Sequence, residues 1–143
     1  MPVWRFDAIG TRWEIESSRE LTDDERGAAT AVIDRFDQEW SRFRPDSVVS
    51  SLAGGGSAPL PSDAAAMLDA YRELSEATDG AVNPLIGGSL DALGYDASIS
   101  LIPSDPQPAP ADWRSLLGWD GRLSLAAPAI IDVGALGKGR LVD

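Results

Sequence analysis

The sequence predicts a single α+β domain over residues 1–143, with antiparallel strands and hairpins beside two long helices. Short runs of alternating apolar and polar residues at the N terminus indicate strands, and two longer stretches have apolar residues at helical spacing. An Asp120-Gly121 dipeptide between two further runs is typical of a tight hairpin turn. Strands and helices do not alternate as repeating βαβ units, which favours α+β over α/β. A chain of about 150 residues suffices for one hydrophobic core.

The N-terminal residues predict strands, followed by a helix. Residues 3–8 and 12–16 alternate between apolar and polar side chains around Gly10, which predicts two short strands or one strand bent there. Thr22 and Glu25 then have the spacing of a capping box. Apolar residues recur at helical spacing beyond them and stop before a proline, which predicts a helix over residues 22–43.

A loop and a second long helix come next. Residues 46–61 contain three consecutive glycines and two prolines, which predicts a loop. Ser62 is a candidate N-cap for the second helix, and Asp79-Gly80 is its expected end. The apolar residues of this helix share one face: Met67, Leu68, Tyr71 and Leu74.

The C-terminal half predicts shorter elements. Residues 84–93 suggest a short helix with a glycine exit at Gly94, and residues 103–112 carry four prolines, which predicts an extended connector. Residues 113–119 and 122–125 flank the Asp120-Gly121 turn and predict a hairpin. The last two predicted elements are a buried strand over 129–133 and a turn entering a helix over 134–143.

Composition excludes several functional classes. The chain has neither cysteine nor histidine, which excludes a zinc finger, a Ser-His triad, a thiolate nucleophile and disulfides, and means that any metal is bound by oxygen. A net charge of −11 opposes binding to a nucleic-acid backbone. We expect a cytoplasmic protein without a membrane segment, because the chain shows neither an export signal nor a long apolar stretch.

Three segments are candidates for ligand binding. Residues 132–140 pass from a strand end through small residues into a helix, where free amides and Lys138, the only lysine, suit an anion. Residues 80–87 contain glycine, asparagine and proline, which favour a turn, and residues 41–47 place an aromatic ring beside two arginines. Each segment also has a purely structural explanation. Residues 132–140 can be a helix start with a solvated lysine, residues 80–87 a connection between helices, and the arginines of residues 41–47 cations that complement a helix dipole. Asp132 suits either a ligand N–H or hydroxyl donor or an ordinary turn bond.

Taken in order, four segments resemble the motifs of the ApbE family of FAD:protein FMN transferases. The family shows a Met-Gly-Thr strand, a Ser-x-(Tyr/Phe)-Arg-x-Asp-Ser segment, a Gly-(Ala)-(Phe)-Asp-Pro-x-x-Gly turn and an Asp-(Leu)-(Gly/Ser)-Ala-(Ile)-Ala-Lys-Gly segment. In this chain they correspond to Ile9-Gly10-Thr11 and to residues 41–47, 80–87 and 132–139. The resemblance covers nearly the whole chain and implies an ApbE-like, T-fold-related domain whose C-terminal part is absent from it.

The resemblance implies an FAD site and a ligand to Mg²⁺. By their positions in the motifs, the FAD contacts fall on Ile9, Phe43, Ala81, Val82, Asn83, Asp132 and Lys138. The main-chain carbonyl of Ala135 is the implied metal ligand, and the family's other protein ligands come from further along the sequence. Ile9 replaces the usual Met and keeps an apolar contact, whereas Asn83 replaces the usual Asp and loses a charge.

The reaction implied by the resemblance is Mg²⁺-assisted attack of a threonine or serine hydroxyl of an acceptor protein on the FMN phosphorus of FAD, releasing AMP. Family members continue into a His-x-x-Asp-Pro segment, which a chain without histidine does not contain, so we expect this portion to be inactive alone. Two alternatives stay open: an FAD pyrophosphatase, in which water replaces the hydroxyl, and a non-catalytic flavin-binding or protein-interaction module.

Overall fold

The computed structural model describes residues 1–143 as a mixture of helices and two antiparallel sheets. The strands are β1 (Val3–Ala8), β2 (Thr11–Glu16), β3 (Gly56–Pro59), β4 (Leu117–Gly118) and β5 (Arg122–Leu125). The helices are α1 (Asp23–Trp40), α2 (Val48–Ser51), α3 (Ala64–Ala77), α4 (Gly87–Ala92), α5 (Trp113–Leu116) and α6 (Gly134–Val142). β1 pairs with β2, and β5 lies between β3 and β4 in the second sheet. This architecture confirms the α+β class.

β1 and β2 form a hairpin, which decides between the two predicted possibilities for the N terminus. Their two-residue connection, Ile9 and Gly10, has positive φ angles of 44° and 73°. Such a turn matches the natural twist of paired strands, but a β-branched residue rarely adopts this conformation. The pairing places Phe6 opposite Trp13, so the apolar side chains of the alternating pattern share one face.

α1 begins as predicted and ends earlier than predicted. The Thr22 hydroxyl accepts from the Glu25 amide at 3.2 Å, and the Glu25 carboxylate accepts from the Thr22 amide at 2.9 Å, so the capping box is formed. The predicted end at residue 43 is wrong, because Ser41 is already extended with ψ of 112°. The early end releases residues 41–44 from the helix and allows their side chains to reach other segments.

The prediction of a loop over residues 46–61 is wrong, since this segment contains both α2 and β3. The Ser47 hydroxyl accepts from the Ser50 amide at 3.1 Å and so caps α2. Gly56, at φ of 120°, begins β3, which pairs with β5 across the whole of its length. The glycines therefore lead into a sheet strand rather than a free loop tip.

α3 begins at Ala64, and its predicted N-cap at Ser62 is wrong. Asp63 occupies the cap position without a side-chain capping bond, and its carboxylate accepts from the indole N–H of Trp40 at 3.2 Å instead. The predicted apolar face is buried except at Leu74, which is 37% exposed. This face and the three-stranded sheet form most of the hydrophobic core, together with residues from neighbouring segments: Trp40, Leu85, Trp113, Ile131 and Val133.

The predicted hairpin around Asp120-Gly121 is present, but its first arm is mostly helical. Residues 113–116 form α5, and only Leu117 and Gly118 pair with β5. The predicted strand over residues 129–133 is wrong, because this segment has no strand partner along its length. Ile131 and Val133 are nevertheless buried, and the backbone of the segment makes isolated hydrogen bonds. The Gly87 amide donates to the Ile130 carbonyl at 3.2 Å, and the Asp132 amide donates to the Pro84 carbonyl at 2.8 Å.

α4 is shorter than the predicted span of residues 84–93, because Pro84 lies before the helix rather than in its first turn. Gly94 leaves the helix at φ of 95°, as expected for a C-terminal glycine, and residues 103–112 form no regular element. α6 covers Gly134–Val142, close to its prediction. None of the helices combines the length and apolar character needed to span a membrane.

Gly87 begins α4 in contact with residue 130. A Cβ added at Gly87 would lie 2.7 Å from the carbonyl oxygen of Ile130 and closer still to its Cγ2. Gly87→Ala is therefore expected to lower the free energy of unfolding by about 1–3 kcal/mol, measured by urea denaturation, because the backbone must shift. Gly88→Ala is the matched control, since no atom lies within 4 Å of its added Cβ. Equal urea midpoints for the two variants would contradict this account of α4.

Candidate functional site

The largest concentration of predicted site residues lines one cavity of about 440 Å³. Its walls come from the β1–β2 turn, the end of α1 with residues 41–44, residues 97–99 and the segment from Asp132 into α6. Ile9, Phe43, Asp132 and Lys138 all line it. This volume lies within the range of about 300–1,000 Å³ that is usual for small-molecule sites.

A buried guanidinium organises one wall of the cavity. Nε of Arg42 donates to Oδ2 of Asp132 at 2.5 Å, one terminal nitrogen donates to Oδ1 of Asp91 at 2.5 Å, and the other donates to the carbonyl of Tyr95 at 2.6 Å. The side chain of Arg42 is only 6% exposed. Oδ1 of Asp132 accepts from the Gly134 amide at 2.7 Å, which places the carboxylate at the start of α6. The Asp132 carboxylate is therefore fixed from two sides.

A second ion-pair group lies beside the first. Arg44 pairs with Asp37 of α1 at 3.2 Å and with Asp46 at 3.1 Å. The hydrogen bonds to these two carboxylates raise the pKa of Arg44, and the bond from Arg44 lowers the pKa of Asp46. Both arginines of the 41–47 segment are therefore occupied by carboxylates of the chain itself.

Lys138 is the one charged side chain of this cavity without a partner. Arg42, Arg44, Asp37 and Asp132 are all in ion pairs, whereas the exposed ammonium of Lys138 makes none within the chain. An unpaired ammonium at the mouth of a cavity suits an anionic ligand, because no internal carboxylate competes for it.

Two apolar side chains, Phe43 and Ile9, also line the cavity. The ring of Phe43 is 46% exposed, and its centroid lies 4.2 Å from the guanidinium carbon of Arg42. A flat ring supported in this way can stack on a planar ligand. Ile9 reaches the cavity from the strained hairpin turn, at φ of 44°. Strain of this kind is typical of ligand sites, where the surrounding fold holds a residue in place.

A short loop after α4 reaches the cavity with Ala97 and Ile99. Asp96 organises this loop: its Oδ2 accepts from the Ser100 hydroxyl at 2.6 Å, and its Oδ1 accepts from the amides of Ser98 and Ser100 at 3.0 Å. These bonds, the Ser100 hydroxyl first among them, lower the pKa of Asp96 to about 2. The loop is therefore held by an ionised carboxylate at any pH well above that value.

The predicted site residues Ala81, Val82 and Asn83 do not line this cavity. Asn83 lines a second one, of about 620 Å³, beside the connector and α5, and both ends of its side-chain amide are bonded within the chain. Its Oδ1 accepts from the Leu85 amide and its Nδ2 donates to the Pro110 carbonyl, both at 2.9 Å. A carboxylate at position 83 would face the Pro110 oxygen with no proton to donate, which explains the amide in physical terms.

Acidic side chains do not cluster in this chain. No group of three or more Asp or Glu side chains lies close enough to hold an ion, and Ala135 would contribute one main-chain oxygen from the first turn of α6. The glycines of this helix also have differing roles. A Cβ at Gly137 would lie 2.8 Å from the ring of Phe36, so Gly137 allows α6 to approach α1, whereas Gly139 has open space around it.

Sequence reasoning missed Arg42 and Asp91 as parts of this site. Arg42 lies in a segment that stands out for its arginines, but nothing local distinguishes it from Arg44. Its carboxylate partners are 49 and 90 residues away in the sequence. Only the fold pairs them, so no motif of contiguous residues contains the signal.

Known structures share this fold. The chain is similar to the flavin transferase ApbE from Vibrio cholerae (TM-score 0.72, 16% identity), covering 99% of this chain and 50% of that one. It is also similar to the ApbE protein from Thermotoga maritima (TM-score 0.74, 20% identity, 99% and 50% coverage) and to the flavinyl transferase ApbE from Pseudomonas stutzeri (TM-score 0.65, 20% identity, 99% and 52% coverage). The chain thus spans about half the length of these proteins.

The sequence itself matches a family model. No curated protein sequence matches the chain. The model of the ApbE family, however, matches residues 9–143, which is nearly the whole chain and includes every wall of the 440 Å³ cavity. The chain therefore belongs to the ApbE family.

Proposed function

We propose that this chain takes part in the transfer of FMN from FAD to a threonine or serine hydroxyl of an acceptor protein. The hydroxyl oxygen forms a bond to the FMN phosphorus, the bond from that phosphorus to the bridging oxygen breaks, AMP leaves with that oxygen, and the hydroxyl proton passes to solvent. The substrates are FAD and the acceptor protein. Transfer of this kind depends mainly on positioning and on neutralising phosphate charge.

The observation that carries the proposal is the meeting of Ile9, Phe43, Asp132 and Lys138 in one cavity, although they come from segments far apart in the sequence. Phe43 would stack on a planar ring system, Lys138 would neutralise phosphate charge, and Asp132 would accept a hydrogen bond from a ligand N–H or hydroxyl. Ile9 would add an apolar contact. Each of these roles fits the exposure and partners of its side chain.

Ala81, Val82 and Asn83 belong to the proposed FAD site through their motif, although none of them lines the 440 Å³ cavity and Asn83 lines the second one. Of these, Asn83 would contribute least as a ligand contact, because both ends of its amide are bonded within the chain. Mg²⁺ is also part of the proposal, with the carbonyl oxygen of Ala135 as one ligand. Because the chain lacks a group of carboxylates that could hold the ion, none of the roles assigned to side chains here depends on it.

Titration of the chain with FAD, followed by quenching of flavin fluorescence, tests the proposal. We expect saturable binding of FAD. Incubation with FAD, Mg²⁺ and an acceptor protein of the family should form no covalently bound FMN, because we expect this portion of the family domain to be inactive alone, and formation of covalently bound FMN and AMP would overturn that expectation. No saturable binding of FAD would contradict the proposal. Release of free FMN and AMP at the same rate with and without the acceptor would instead identify a pyrophosphatase.

A further inference from the structure

Arg42 is the most deeply buried charge at the cavity and has no role in the proposed function. Its three nitrogens donate to Asp132, Asp91 and the carbonyl of Tyr95, each at 2.6 Å or less. These partners lie on three separate segments: the start of α6, α4, and the loop that reaches the cavity with Ile99. One side chain therefore joins segments that share no regular secondary structure.

Arg42 is an unsuitable ligand contact despite its charge. Its side chain is 6% exposed, and each nitrogen already donates a hydrogen bond within the chain. Two carboxylates offset its positive charge, so little of that charge is available to a phosphate. Lys138, in contrast, is exposed and unpaired. Lys138 is therefore the cation available to a ligand, whereas Arg42 is the cation that holds the protein segments together.

We infer that Arg42 is a positioning residue of the FAD site and acts through Asp132 and Phe43; this inference rests on the proposed function. Its Nε bond holds Oδ2 of Asp132, while the Gly134 amide holds Oδ1, which leaves the remaining lone pairs of the carboxylate in one fixed direction. Its guanidinium lies 4.2 Å from the Phe43 centroid and so limits the tilt of that ring. Arg42 thus sets the orientation of two ligand-facing side chains without touching the ligand.

The test is a double-mutant cycle on FAD affinity in the full chain. Arg42→Met, which keeps much of the side-chain volume, is expected to weaken FAD binding by about tenfold or more, the size expected when a charge-assisted hydrogen bond is lost. In the Asp132→Asn background the same substitution should change the dissociation constant by less than about threefold, because the Asp132 carboxylate is already altered and only the weaker contact of Arg42 with the Phe43 ring remains to be lost. Arg35→Met, on the exposed face of α1, is the control for the lost charge and should leave affinity unchanged.

The outcomes separate this role from the proposed function. Failure of the unsubstituted chain to bind FAD would overturn both. Normal binding of FAD by both the unsubstituted chain and Arg42→Met would overturn only the role of Arg42. An equal loss of affinity in the two backgrounds would do the same, because the effect of a direct ligand contact or of a general loss of structure would not depend on Asp132. If Arg42→Met fails to fold, Arg42→Lys decides: its single nitrogen cannot replace three donors, so binding should weaken several-fold, and unchanged affinity would overturn the role.

Discussion

Lys138→Met is expected to weaken FAD binding by about tenfold to a hundredfold, the usual effect of removing a hydrogen bond to a charged group. Lys138 is the only lysine of the chain and the only charged side chain of the cavity that no internal partner neutralises. Its contribution to affinity is therefore not offset by the loss of an existing ion pair. The measurement is a fluorescence titration with FAD at low and moderate salt, because an electrostatic contact weakens as salt rises.

The matched control for this variant is Arg140→Met. Arg140 is two residues further along α6, is exposed, and makes only a distant pair with Asp143 at 3.9 Å. The substitution changes the net charge by the same amount on the same helix, so its effect on FAD affinity should stay within about twofold. Equal losses for the two variants would mean that FAD responds to the overall charge of the helix rather than to a contact with Lys138.

Trp113→Ala is expected to cost about 3–5 kcal/mol in the free energy of unfolding, which is a large part of the stability of a typical domain. Trp113 is 2% exposed, and its indole N–H donates to the hydroxyl of Ser75 on α3 at 3.1 Å. Truncation would leave a cavity between α5 and α3 and remove the partner of a buried hydroxyl. Urea denaturation of the chain, with the slope of the transition compared between variants, measures this loss.

Trp119→Ala provides the comparison for this substitution. The two indole rings stack with centroids 6.2 Å apart, but Trp119 is only half-buried and donates to the part-buried carboxylate of Asp69 at 3.2 Å. The loss for Trp119→Ala should be clearly smaller, since less apolar surface returns to water. A larger loss at Trp119 than at Trp113 would show that the stability of this region comes from the hairpin and not from the core.

The elements that the sequence predicts correctly are those whose signals are local. The capping box of α1, the alternating residues of the first hairpin and the Asp120-Gly121 turn each depend on residues a few positions apart. The errors arise where a distant partner decides. Residues 56–59 form a strand because β5 lies beside them, and residues 129–133 fail to form one because nothing pairs along their length. Hydrophobic patterning predicts the partial burial of residues 129–133 but not their hydrogen-bond partners, and it gives no signal for β3, in which only Ala58 is buried.

The residues of the candidate site also differ in how far the sequence predicts them. Motif positions identify Ile9, Phe43, Asp132 and Lys138, and the fold gathers them in one cavity. Motif positions do not identify Arg42, whose partners are brought to it only by tertiary structure, and they give no physical reason for Asn83. That reason lies in the Pro110 carbonyl, 27 residues further on, which requires a donor. Motifs of contiguous residues therefore identify four side chains that line the cavity, but not the long-range ion pairs that hold its walls.

The walls of the 440 Å³ cavity come from both ends of the chain and from its middle, and the Arg42 guanidinium bonds the middle segments to the segment that enters α6. Unfolding separates these segments, so the denatured chain offers no binding site. Any molecule that fills the cavity therefore favours the native state by mass action, by about 2.7 kcal/mol when it is present at a hundred times its dissociation constant. The melting temperature and the resistance of the chain to proteolysis should consequently rise with the supply of its ligand.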